Sequence, residues 1–198
     1  MMAKNSVPIC ARCETKECRD GKDCFAKADS HRQLYGNIIA KLHKTGSTIE
    51  AKYYCEKTRL GETILFAEEL GCRKIGLAFC IGLSDEAKII DEILSKHFKV
   101  ISVCCKVCGL TKKELGLERI SSNKREVICN PAGQAQLLND AKTELNIICG
   151  LCVGHDAIFA KLSDAPVTTL IAKDRVLAHN PAAAIYCQYI RKSFNKNT

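Results

Sequence analysis

The 198-residue sequence predicts an α/β fold, a three-layer Rossmann-like or flavodoxin-like sandwich on a parallel sheet. Three observations carry that expectation. Short, nearly continuous apolar runs recur, such as KIGLAFCIG (Lys74 to Gly82) and FKVISVCC (Phe98 to Cys105). Amphipathic helical segments alternate with them, which is the signature of parallel strands buried on both faces. Cysteines also recur where those runs end, although nothing in strand packing requires them there.

Taken in order, residues 1 to about 30 show no apolar period but hold four cysteines and four lysines. From His31 to Leu70 the pattern is helical, with Leu34, Ile38, Ile39 and Leu42 on one face. Gly71 is placed to close that stretch as a left-handed cap. Lys74 to Gly82 reads as the first strand. Ser84 follows as an N-cap for a helix to about His97, with Ala87, Ile90, Ile93 and Leu94 inward. Phe98 to Cys105 reads as the second strand, followed by a long connection with a short helix near Lys112 to Leu117. Asn130 and Pro131 open a helix to about Thr143, with Leu137, Leu138 and Ala141 inward. Leu145 to Cys152 is the third strand, His155 to Leu162 a helix, and Val167 to Ala172 the fourth strand. Asn180 and Pro181 open a last helix to about Ser193. Right-handed crossovers give the strand order 2-1-3-4, with the switch between the first and third strands. The predicted organisation is a cysteine-rich metal-binding segment over 1–30 and an α/β domain over 31–198. The domain has a helical lead-in (31–71) and a sheet core (72–198).

Composition narrows the function classes. No run approaches the ~18 apolar residues of a membrane span, and the start of the chain has no apolar signal region. The expectation is a cytoplasmic protein without a membrane partner. Fourteen cysteines in a reducing compartment point to metal or thiol chemistry rather than disulfides. The net charge of +8 is spread along the chain, with one basic run at the tail (RKSFNKNT). With no Trp and 6% aromatic residues there is little to stack nucleic-acid bases, so nucleic acid is not the expected partner. The small-molecule or redox partner and the oligomeric state are not specified by the sequence.

Three groups of residues carry chemistry. Cys10, Cys13, Cys18 and Cys24 lie within fifteen residues, and four thiolates at that spacing can wrap one tetrahedral metal. The spacing is near that of a zinc knuckle, and an iron–sulfur cluster fits the same ligands, so zinc or an iron–sulfur cluster is the expected cofactor there. The second group comes from the strand ends. Cys80, Cys104, Cys105, Cys129 and Cys152 are placed to meet at the carboxyl edge of the sheet, together with His155, Asp156, Asp174 and His179. That rim is expected to hold an iron–sulfur cluster or a second metal, or to use thiolate nucleophiles in redox or sulfur chemistry. Cys55, Cys72, Cys149 and Cys187 read as packing, and Cys108 pairs with Cys105 in a C-x2-C that need not function. The third is Gly150-Leu151-Cys152-Val153-Gly154, a G-x-C-x-G with the spacing of a nucleophile elbow. It gives an alternative, a cysteine hydrolase or amidotransferase using Cys152, with His155 or His179 as base and Asp156 or Asp174 orienting it. A further alternative is a knuckle-type nucleic-acid-binding module.

The four-cysteine knot resembles, together with SVCCK (Ser102 to Lys106), CNPAGQAQLLN (Cys129 to Asn139), LNIICGLCVGHD (Leu145 to Asp156) and APVTTLIAKDRVLAHNP (Ala165 to Pro181), a cysteine-rich family known as domain of unknown function 1847. The likeness runs from Cys10 to about Tyr186. Its members are often labelled simply as metal-binding proteins, so the resemblance implies metal binding without a defined reaction. By that resemblance Arg175 belongs to the recurring blocks with the cysteines, His155, Asp156, Asp174 and His179.

Overall fold

The computed structural model describes residues 7–121 and 123–195. Residues 1–6 of the cysteine-rich segment and the last three of the basic tail lie outside them. The chain divides after Lys52 into two compact units.

The first unit opens with two 3-10 turns, Cys10–Arg12 and Glu17–Asp20. Helix α1 (Ala28–Arg32) and helix α2 (Asn37–Tyr53) follow. The continuous helix expected from His31 is interrupted. Gly36 precedes Asn37 at φ +46, a left-handed conformation that ends one helical turn before the next begins. Leu34 therefore sits in a turn, and Ile38 and Ile39 stay exposed, while α2 buries Thr45 and Ile49 further along.

The second unit begins with α3 (Arg59–Leu70), whose first turn is capped by the Thr58 hydroxyl accepting from Gly61 N–H at 3.3 Å. Gly71, at φ +76, closes it as the sequence predicts. Cys55 lies in the preceding turn, exposed at φ +61, and not inside a helix.

Four parallel strands follow: β1 (Lys74–Phe79), β2 (Lys99–Cys104), β3 (Leu145–Cys149) and β4 (Val167–Ile171). Their order is β2-β1-β3-β4, the order expected. Helices α4 (Ser84–Leu94), α5 (Pro131–Asp140) and α6 (His155–Leu162) supply the crossovers. α4 and α5 both pack on β1 and β2, and α5 runs beside α6. Every residue of β3 is buried, as expected of a central parallel strand covered on both faces. The core joins Ile75 and Leu77 of β1, Ile147 of β3, Leu94, Leu138 and Phe159, each essentially inaccessible. Full burial of such side chains stabilises the fold by roughly 1.5–3 kcal/mol apiece.

A polar side chain is built into this core on the sheet itself. Asn146 is fully buried on β3, its Oδ1 accepting from Thr143 Oγ1 and its Nδ2 donating to Ser163 Oγ, both at 2.8 Å. Gly76 is its register partner, and a Cβ there would fall 2.0 Å from Asn146 Oδ1. The glycine makes room for the amide. At the β4 edge, Arg59 donates from Nε to the Thr169 carbonyl at 2.6 Å and from Nη2 to Thr168 Oγ1 at 3.2 Å.

Several expected details are corrected. Ser84 is the first helical residue of α4 and not its cap, its hydroxyl donating to the Ile81 carbonyl. Leu138 is buried, but Leu137 is 40% exposed, since α5 turns a narrower apolar stripe inward than expected. Residues 112–117 form turns and not a helix. Thr111 and Glu114 do make a capping-type contact at 2.7 Å, yet Gly116 at φ +63 ends the first turn. The last helix is two short ones, α7 (Ala183–Tyr186) and α8 (Gln188–Lys192), broken at extended Cys187. Neither buries a residue, so no apolar face holds a single longer helix together. Among the described residues no helix is long and apolar enough to cross a membrane.

Candidate functional site

The carboxyl ends of the strands bring distant cysteines together by register. Phe79 and Cys104 are the last paired residues of β1 and β2. The ladder runs one step further, since Cys105 N–H donates to the Phe79 carbonyl at 2.8 Å and Cys80 N–H to the Cys149 carbonyl at 3.1 Å. Cys80 and Cys105 thus stand side by side past the last pair. Side chains alternate along a strand, so Cys104 points away from Cys105; it packs half-buried against the core. Cys129 arrives from the connection before α5, which is pinned here because Asn130 N–H donates to the Cys105 carbonyl at 2.7 Å. Asn130 also caps α5, its Oδ1 accepting from Gly133 N–H at 2.8 Å.

These three thiols act on one another. Cys129 and Cys80 are both close enough for their charges to act on Cys105. Burial, reinforced by those two neighbours, pushes the Cys105 thiol up to about 12. Against it, Ile81 N–H donates to Cys105 Sγ at 3.3 Å and favours the thiolate. Cys149, read from sequence as packing, lies beside this group. Burial first, then Glu86 and Cys80, push it up to about 11, with the Lys173 ammonium opposing.

Beneath the trio lies a group that sequence reasoning missed. Gln134, fully buried in the first turns of α5, donates from Nε2 to the Phe79 carbonyl at 3.2 Å and to the Val103 carbonyl at 2.7 Å. It ties the ends of β1 and β2 together directly behind Cys80 and Cys105. Its Oε1 is buried without a partner. Such an orphan acceptor is costly, on the order of 1–3 kcal/mol. A glutamine three positions after a helix-opening Pro, on the inward face, is the signal that could have flagged it.

Cys152 belongs to a different part of the rim. The positive φ values of its turn fall on Gly150 (+68) and Gly154 (+85), and Cys152 itself is not in the left-handed region. A nucleophile elbow strains the nucleophile's own backbone, so this turn is built differently. The Cys152 carbonyl accepts from His155 and Asp156 N–H and starts α6. The sulfur instead accepts from Arg175 Nη2 at 2.8 Å. Asp174 and His179 build the loop that presents Arg175. Asp174 Oδ1 accepts from Val176 and Leu177 N–H at 2.9 and 2.8 Å, and His179 Nδ1 accepts from Asp174 N–H at 3.2 Å. Ala178 and His179 carry positive φ in that loop. Asp156 turns its carboxylate onto Ala157 N–H at 2.8 Å. His155 is held below the usual imidazole range by burial and then by the Arg175 charge.

The amino-terminal cysteines are gathered locally. Cys13 N–H donates to the Cys10 carbonyl, and Cys18 sits in the next 3-10 turn. Backbone N–H groups of Lys16 and Thr15 and the Thr15 hydroxyl point at Cys13 Sγ and hold its thiol below the ordinary value. Cys10, Cys13 and Cys18 are exposed and Cys24 half-buried. All fourteen cysteines are free thiols. Cys108 is an exposed turn residue at φ +69. Among the described residues, no group of three or more His, Cys, Asp or Glu is already spaced to hold a metal ion.

Comparison with known proteins gives two matches. The chain is 50% identical over 187 residues to an uncharacterised protein of Methanocaldococcus jannaschii, covering 92% of this chain and 96% of that one. No solved structure is a significant match. The family model described as protein of unknown function (DUF1847) matches residues 18–170, and the chain belongs to that family.

Proposed function

We propose that this protein is a cytoplasmic thiol-based metalloprotein. Zinc or an iron–sulfur cluster is held by Cys10, Cys13, Cys18 and Cys24. A second thiol-rich pocket at the strand ends, built from Cys80, Cys105 and Cys129, serves redox or sulfur chemistry. The observation that carries the reading is the convergence of those three sulfurs from three chain segments, with Ile81 N–H donating to one of them. N–H donors to sulfur are what tune metal–thiolate centres, and Cys13 receives the same treatment in the other unit. The donor chemistry fits soft metals at both places. Their sulfurs must draw together on binding, since no ready-made ion site is present among the described residues. Fourteen free thiols fit a reducing compartment.

Elemental analysis of protein purified without oxygen tests this. Wild type should carry zinc or iron. Cys13→Ser and Cys105→Ser should each remove metal from one site and leave the other loaded. A brown protein identifies iron–sulfur, and a colourless zinc-bearing one identifies zinc. Wild type with neither metal would overturn the proposal.

A further inference from the structure

We infer that Cys152 and Arg175 form a separate reactive site on the rim, which takes a small electrophile bearing an anionic group, a carboxylate or a phosphate. The inference rests on the rim half of the reading above, and not on its metal.

The two residues come from different crossovers. Cys152 follows β3 and Arg175 follows β4, so they meet at the carboxyl end of the sheet, where ligands of this fold class bind. The guanidinium is exposed and contacts the sulfur through Nη2 at 2.8 Å, so its other N–H donors remain available to an oxyanion beside the thiol. The surroundings carry excess positive charge. Arg175 and Lys106 act on His155, opposed by Asp156, while Lys112, which also acts on it, is paired with Glu126 at 2.7 Å. Lys173 reaches the rim as well, its Nζ lying 3.3 Å from where a Cβ on Gly82 would stand. The carboxylates of Asp156 and Asp174 each accept from backbone N–H groups of their own segments. A neutral or cationic reagent gains nothing from this arrangement, whereas an anionic one is drawn to the sulfur.

Iodoacetate and its neutral analogue iodoacetamide test the idea. In each, the Cys152 sulfur bonds to the CH2 carbon, the C–I bond breaks, iodide leaves with its electron pair, and the thiol proton passes to water. Rates are read at Cys152 and, as an internal control, at exposed Cys55 by peptide mapping, with Cys152→Ser identifying the labelled peptide. The iodoacetate-to-iodoacetamide rate ratio at Cys152 should exceed that at Cys55 by about tenfold. High salt should shrink the excess. Arg175→Ala should bring the Cys152 ratio down to the Cys55 value, and Arg175→Lys should retain part of it. Equal ratios at Cys152 and Cys55 in wild type, or a ratio unmoved by Arg175→Ala, would overturn the inference. Protein that carries no metal would defeat the metalloprotein reading, yet these ratios would still be read.

Discussion

The amino-terminal cysteines and the rim cysteines are assembled by opposite means. The first four are neighbours in sequence, Cys10 and Cys18 in two 3-10 turns and Cys13 and Cys24 just past them, with little burial. The rim three are separated by tens of residues and are brought together by strand register and by the connection into α5. Their thiols respond in opposite directions: Cys13 lies below the ordinary value because N–H groups point at it, and Cys105 is driven up to about 12 by burial. The lesson is that proximity of sulfurs and readiness to ionise are separate properties. A turn can supply the second without a core, and a sheet can supply the first while opposing the second.

The sharpest way to break this comparison is to measure thiol reactivity residue by residue. The thiolate is the reacting form, so a rise from 9.0 to about 12 removes roughly a thousandfold of it at neutral pH. Cys105 should be alkylated about a thousandfold or more slower than Cys13, with peptide mapping as the readout. Comparable rates would show that the rim is open and the contrast false. The same shifts set a pH dependence. Cys105 and Cys149 hold their protons more tightly folded than unfolded, so the stability they contribute is complete below pH 9. It should be lost as pH rises towards about 11 and 12, seen as a falling melting temperature over that window.

Phe159→Ala removes a fully buried ring and should lower stability by about 3–5 kcal/mol in denaturant titrations. The buried rim thiols should then react with alkylating reagents at accessible rates. Gln134→Leu removes the orphan Oε1 but also the amide's bonds to the Phe79 and Val103 carbonyls, a net loss of roughly 1–3 kcal/mol. If metal binding uses that acceptor, the variant should also lower rim metal content. The smallest expected effect is Asn130→Ala. Loss of the α5 cap should lower stability by about 1 kcal/mol.

Much of this was legible in the residues. Alternating apolar runs and amphipathic helices predict the sheet, its order and the convergence of Cys80, Cys105 and Cys129, because right-handed crossovers leave few alternatives. What escaped depends on single-residue geometry. Cys104 and Cys105 are adjacent letters, but the alternation of side chains puts only one of them in the trio. Asp174 and His179 look like chemistry in the sequence, while their hydrogen bonds are spent on shaping the loop that carries Arg175. A Lys-x-Arg just past the last strand end was the available hint for Lys173 and Arg175. The short helix near residue 112 failed because one capping contact cannot outweigh a glycine that leaves the helical region a few residues on.

The Arg59 clasp on β4 has a consequence for how copies of this protein meet. An outer strand with free peptide groups invites a neighbour to add its own strand and begin a fibre. Here the guanidinium occupies the Thr169 carbonyl and leans on the Thr168 hydroxyl, so that flank cannot zip to another molecule until the arginine lets go. The opposite flank, β2, opens with the exposed, charged Lys99, which discourages stacking there too. In a protein carrying fourteen free thiols, guarding these edges removes one route by which the sulfurs of neighbouring molecules could be held together.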